Sequence, residues 1–113
     1  MPAYAIAQLQ DVNFGADIVA YLKAVDATFT PFGGRFLVHG SAVEVLEGPW
    51  SGDLVVVEFP DRTQAGAWYA SPAYQAILPL RTNNACCWVV LVDGVGEEHR
   101  AVDLLAKLPP GSG

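Results

Sequence analysis

Positive charge is scarce in this chain. Six Lys and Arg residues stand against twelve Asp and Glu, for a formal charge of −6, and the six lie scattered from Lys23 to Lys107. Without a basic cluster the electrostatic footprint of a phosphate-binding protein is missing, so nucleic acid is not an expected partner. Cysteine is nearly absent too. Cys86 and Cys87 are adjacent and cannot staple distant parts of a fold. The opening residues MPAYAIAQLQ lack both a positively charged start and an unbroken apolar stretch, so no secretory signal is read there, and a reduced, cytoplasmic protein is expected. No window approaches the roughly 20 apolar residues that span a bilayer, so no membrane partner is expected. Of two histidines, His99 lies in a polar segment near the end and His39 stands alone. One histidine without a carboxylate cluster leaves a metal short of ligands. Gly94 and Gly96 lack the strand-turn-helix context and third glycine of a phosphate-binding loop, so neither metal nor nucleotide cofactor is expected.

What is abundant is apolar surface. The chain has 113 residues, enough for a single core and too few for two, with 52% hydrophobic against 16% charged residues. That balance excludes general disorder, and for so small a domain it predicts apolar surface buried against another subunit.

The chain is organised around residues 33–59, which read as one long β-hairpin. Arg35 to His39 and Val43 to Leu46 form a first arm broken at Gly40-Ser41, a predicted bulge. Gly48 to Gly52 reverse the chain, and Leu54 to Phe59 form the second arm. Before the hairpin, Ala3 to Leu9 reads as a strand, and Asp11-Val12-Asn13 supplies cap chemistry. A helix then shows its apolar stripe at Phe14, Ile18, Tyr21, Leu22, Val25 and Phe29, and it ends at Pro31 and Gly33-Gly34. After the hairpin, Asp61 and Gln64 make a capping pattern for a second helix with Ala65, Trp68 and Tyr69 on its apolar side. Ser71-Pro72 breaks it and caps a further piece through Tyr74, Ile77, Leu78 and Arg81, with Pro79 expected to kink or shorten that piece. Cys86 to Val92 is an apolar run of strand length. A last short helix with Val102, Leu105 and Leu108 on one side is predicted over the segment 97–108, lying on the sheet or on a neighbouring subunit.

The order β-α-β-β-α-β predicts an α+β, ferredoxin-like domain over residues 1–96, followed by an extension over 97–113 with a flexible tail. Its four-stranded antiparallel sheet would carry the helices on one face only. Pairing of two bare sheet faces across a two-fold axis, a homodimer, is the expected solution.

Three groups of residues then suggest a family: Gly33-Gly34-Arg35-Phe36-Leu37-Val38; Glu44-Val45-Leu46-Glu47-Gly48-x-Trp50; and Val55-Val56-Val57-Glu58-Phe59-Pro60. With Ala67-Trp68-Tyr69-x-Ser71-Pro72-x-Tyr74-Gln75 and Leu80-Arg81, the stretch from Ala3 to Gly94 resembles the small bacterial family catalogued as domain of unknown function thirteen-thirty. The resemblance implies the dimeric α/β-barrel superfamily, whose relatives include cofactor-independent monooxygenases, lactone isomerases and many proteins without assigned activity. It therefore carries a fold and an assembly, not a reaction. Two departures stand out. Gly40-Ser41 replaces the family's Gly-Gly at the break in the arm, and the segment after Gly94 exceeds the usual family end, as a dimer arm would.

Strand parity puts Arg35, Leu37 and His39 on one face, and Leu54, Val56 and Glu58 on one face of the second arm. Ionisable groups buried there need partners, so one reading is an ion pair of Glu58 with Arg35 or Arg81. The functional reading makes them the polar end of a pocket between sheet and helices. Arg35 or Arg81 would hold a carboxylate or enolate, and His39 or Glu58 would move a proton. Trp68, Tyr69 and Tyr74, with Trp50, read either as core and interface filler or as the aromatic lining of a cleft for a small organic ligand. Ser71 has no base beside it in sequence and reads as a cap. Cys86 and Cys87 read as packing residues. The function expected is binding of a small organic molecule by a homodimer, with cofactor-independent proton transfer or oxidation as its catalytic form. The competing class is a non-catalytic structural or interaction module.

Overall fold

The computed structural model describes residues 1–107. Leu108 and the tail from Pro109 to Gly113, both named above, lie outside the described residues. Four strands, β1 (Ala3–Gln10), β2 (Arg35–Val38), β3 (Asp53–Phe59) and β4 (Cys86–Asp93), form one sheet in the order β2-β3-β1-β4. Every neighbouring pair is antiparallel, and β1 is central, running from Ala3↔Phe59 to Leu9↔Asp53 on one side and from Ala3↔Asp93 to Gln10↔Cys86 on the other. This is the α+β ferredoxin-like arrangement the element order predicts.

Alternation along β1 sorts the sheet into two faces. Ala3 and Ala5 are buried together with Val57 and Phe59 of β3, beneath the helices α1 (Ala16–Phe29), α2 (Arg62–Ala70) and α3 (Pro72–Thr82). The core there is completed by Val25, Phe29, Ala65, Trp68 and Tyr74. The other parity pairs Ile6 with Val56 and Val90, and Gln8 with Leu54 and Trp88, on a face that no helix of the described residues covers. Trp88 is 71% exposed there, and Leu37, Val90 and Val92 are exposed as well.

The caps follow local chemistry. The Asp61 carboxylate accepts the Gln64 N–H at 2.8 Å and starts α2. Ser71 serves both sides of the break, donating to the Trp68 carbonyl at 2.7 Å and accepting the Tyr74 N–H at 3.2 Å, with Pro72 in the first turn of α3. Pro79 lies inside α3, which runs on to Thr82. A 3₁₀ turn, Thr30–Phe32, ends α1, and Gly33 follows at φ 76°.

Three expectations are corrected. The first helix begins at Ala16 behind an extended Gly15, not at Phe14, which stays exposed. The Asn13 N–H is taken by the Asn84 carbonyl at 2.7 Å, which holds this stretch as a loop. The break in the hairpin arm falls at Leu37, where the register steps from Phe36↔Val57 to Val38↔Val56. Val43 to Leu46 form no strand, and residues 39–52 carry no regular structure. With Val38 opposite Val56 and β3 starting at Asp53, no strand among the described residues is left to pair with them. Within the segment where a last short helix is predicted, Ala101–Lys107 form a 3₁₀ helix whose Val102, Leu104 and Leu105 are exposed.

Candidate ligand-binding site

Small side chains at the centre of the sheet leave room under the helices. Ala5 and Ala7 of β1, flanked by Val55 and Val57, floor a cavity of about 400 Å³ between sheet and helices. Larger residues at those two positions would fill it. Its lining is mostly apolar; Tyr21, Tyr74 and Arg81 gather where α3 meets α1, and His39 and Asp53 line it as well.

That polar end is built on helical spacing. Arg81 stands two turns after Tyr74 on α3, so both side chains reach the same face. The Arg81 Nη2 donates to the Tyr74 hydroxyl at 3.3 Å, and the Tyr74 and Tyr21 hydroxyls are 2.8 Å apart. The guanidinium carbon lies 6.0 Å from the Tyr21 ring centroid. Arg81 is only 5% exposed. Burial alone pushes its pKa down, but the Tyr74 hydroxyl and the Cys87 thiol outweigh this and raise it, so Arg81 is a cation at any working pH. Burial, and then Tyr74, raise the Tyr21 phenol well above its ordinary value, so Tyr21 is a neutral donor. The ion pairs among the described residues are Arg35–Glu58, Arg62–Asp93 and His99–Asp103, so Arg81 meets no carboxylate there.

The wall behind Tyr74 is Trp68, with ring centroids 4.3 Å apart. Its Nε1 donates to the Thr28 hydroxyl at 3.0 Å, and Thr28 donates to the Val25 carbonyl at 2.6 Å, a chain that fastens α2 to α1. No buried side-chain nitrogen or oxygen among the described residues lacks a partner.

The expected site residues divide between the two faces. Arg81, Trp68, Tyr74 and His39 all line the cavity. His39 stands at its mouth, exposed and stacked on Phe36 at 4.3 Å and 14°. The extra residue at Leu37 reverses the parity of the residues beyond it, which puts His39 on the cavity side with Phe36, not on the face of Arg35 as simple alternation predicts. Arg35 and Glu58 sit opposite one another on β2 and β3 and pair at 3.1 Å on the outer face. Of the two readings of this pair, the geometry is that of the surface ion pair, and neither residue lines the cavity. Tyr69 lines a second, more open cavity of about 410 Å³ on the β4 side, which shares Arg81 with the first and adds Cys87. Trp50 bonds the Gly52 carbonyl at the hairpin turn at 3.2 Å. Sequence reasoning does not single out Tyr21 and Thr28 as site residues. Their signal is a hydroxyl-bearing residue at each of two positions seven apart on the buried stripe of α1.

Among the described residues, no group of three or more His, Cys, Asp or Glu side chains is placed to hold a metal ion. No described helix is long and apolar enough to cross a membrane.

Residues 2–95 match the family described as "Domain of unknown function (DUF1330)". The chain belongs to this family. No curated protein matches it. Among solved structures, a protein of unknown function from Rhodopseudomonas palustris is similar, with 17% identity over 84% of this chain and 83% of that one and a TM-score of 0.65. A dimeric ferredoxin-like protein of unknown function from a Jannaschia species matches with 13% identity, 83% and 100% coverage and a TM-score of 0.61. SnoaB, a cofactor-independent oxygenase from Streptomyces nogalater, matches with 12% identity, 88% and 96% coverage and a TM-score of 0.50. At these identities the DUF1330 chain shares a fold with them and nothing finer.

Proposed function

We propose that this DUF1330 protein is a homodimer, paired through the outer faces of its sheets, that binds a small organic molecule carrying one negative charge. One observation carries the reading: a buried arginine that pairs with no carboxylate of the described residues stands at one end of a mostly apolar cavity, whose lining also includes His39 and Asp53. A buried charge is normally paired, and here the partner is assigned to the ligand. The apolar walls from β1, α1 and Trp68 take the body of the molecule, and the Arg81 cation with the hydrogen-bonded tyrosines beside it attracts its charged end. The exposed Trp88, Val90 and Val92, and the dimeric state named for the Jannaschia protein, support the sheet-to-sheet pairing.

The catalytic form of this reading rests on His39. It belongs to β2's end of the cavity, whereas Arg81 lies over β4, the opposite edge strand. Three strand spacings separate those edges, roughly 14 Å. A ligand anchored at Arg81 is therefore deprotonated by His39 only at its far end, which fits cofactor-independent proton transfer or oxidation of an elongated acidic C–H compound.

Native mass spectrometry of protein purified gently from its own host is the test. A dimer carrying an extra small mass that Arg81→Met abolishes supports the reading; a monomer overturns the pairing, and a mass retained by Arg81→Met overturns the charge assignment. Turnover of the identified molecule, lost in His39→Ala while binding persists, separates the enzyme from the non-catalytic module.

A further inference from the structure

The hydroxyl chain at the polar end has only one self-consistent direction, and from it we infer that Tyr21 is the hydrogen-bond donor that meets the ligand, whose charged end is a single-oxygen anion, an ionised phenol or enol. The inference rests on the binding reading above and deepens it. Arginine has donors and no acceptor, so the Tyr74 oxygen accepts from Arg81. Tyr74 is 2% exposed, and its hydroxyl has two partners, Arg81 and Tyr21. A buried hydroxyl proton left without an acceptor is costly, and Arg81 cannot accept it. The Tyr74 proton therefore goes to the Tyr21 oxygen at 2.8 Å. That leaves the Tyr21 proton uncommitted, on a half-buried residue that lines the cavity.

The chain runs from the cation outward: Arg81 to Tyr74, Tyr74 to Tyr21, Tyr21 to the ligand. Each bond polarises the next, so the last O–H is a stronger donor than an isolated phenol. Burial keeps Tyr21 protonated, as a donor must be. One O–H directed at one point suits one oxygen. A carboxylate would instead draw the two-pronged face of the guanidinium, part of which is already given to Tyr74.

The test uses two fused-ring probes: 7-hydroxycoumarin, whose absorbance separates ionised from neutral phenol, and 2-naphthoate. The wild-type protein is expected to bind the coumarin with preference for its ionised form, so that the bound probe ionises at lower pH than the free one, and to bind it more tightly than the naphthoate. Tyr21→Phe keeps the ring and removes the donor. It should reduce the preference for the ionised form about tenfold or more while leaving affinity for the neutral form nearly unchanged. A merely structural role would weaken both forms equally. The Tyr21→Phe, Tyr74→Phe double variant leaves no hydroxyl unpaired and must lose the preference as well, with folding followed by circular dichroism. Wild-type preference in either variant overturns the inference, and so does tighter binding of 2-naphthoate, while leaving the anion cavity standing. Failure of the wild type to bind either probe overturns the cavity reading and the inference together.

Discussion

Replacing Arg81 by Met separates a ligand-poised cation from a structural one, because the two make opposite predictions for the empty protein. Met keeps an unbranched stem against Tyr21 and Tyr74 and removes the charge. The loss includes one charge-assisted hydrogen bond to Tyr74, about 1.5–3 kcal/mol. It also includes a favourable position in the last turn of α3, about 0.3–1 kcal/mol. Against this, a guanidinium no longer has to be desolvated, a gain of several kcal/mol when no carboxylate compensates it. The terms nearly offset, so the variant should unfold within about 1 kcal/mol of wild type. In urea, with a slope of about 1–3 kcal/mol per molar, the midpoint would then move by no more than about 1 M. Affinity for an anionic ligand should fall by at least about 2 kcal/mol, roughly thirtyfold. Urea unfolding and ligand titration on the same preparation make the assay. Destabilisation of about 3 kcal/mol or more, the signature of a broken buried pair, with ligand affinity unchanged would refute the reasoning.

Thr28→Val orphans the Trp68 indole N–H and should cost about 1–3 kcal/mol; combining it with Trp68→Phe should recover part of that loss in a double-mutant cycle by urea unfolding. Gly52 has φ 87°, and a Cβ there would strike the Leu9 carbonyl, so Gly52→Ala should cost about 2–4 kcal/mol, read from the unfolding midpoint. Trp88→Glu puts a charge in the proposed sheet-to-sheet interface and should shift the protein to monomer at micromolar concentration in light scattering; an unaffected dimer would move the interface elsewhere. The Tyr21 phenol is raised above its ordinary 10.0 in the folded state, so its contribution to stability is complete below that pH and declines progressively as pH rises from there toward the higher folded value. Unfolding free energy should therefore fall steadily as pH rises above about 10, less so in Tyr21→Phe.

The capping sites were the most legible part of the sequence, because Asp61 with Gln64 and Ser71 with Pro72 act within four residues. Sheet order was legible because apolar alternation in β1 and β3 and the unbroken run in β4 leave few ways to cover the helix-facing side. The position of His39 was not legible. It depends on one extra residue at Leu37, and no glycine or proline at that point announces a bulge, whereas Gly40-Ser41 draws the eye further on. Val43 to Leu46 have strand composition, but a strand also needs a partner, and where β3 begins is not written in residues 43–46 themselves. The cavity was hidden for a related reason. Ala5 and Ala7 look ordinary in a strand, and their effect is felt only where α1, α2 and α3 converge above them. Arg81 could be named from the sequence, but Tyr21 could not, since its hydroxyl acquires meaning only beside Tyr74, 53 positions away.

The central place of β1 also sets the order in which the molecule can come together on the ribosome. The first strand to be made is flanked by β3 and by β4, so its hydrogen bonds are completed only once Cys86 to Asp93 have been synthesised. Until then one whole edge of β1 is an open template, and the floor formed by Ala5 and Ala7 has no closed sheet around it. Contacts between residues so far apart in sequence fold slowly and leave strand edges available to other nascent chains. The last strand to appear is the one richest in apolar side chains on its outer face. Closing the sheet with β4 thus coincides with the first display of the surface on which two subunits would meet under the proposed pairing, so that surface never exists before the fold that carries it.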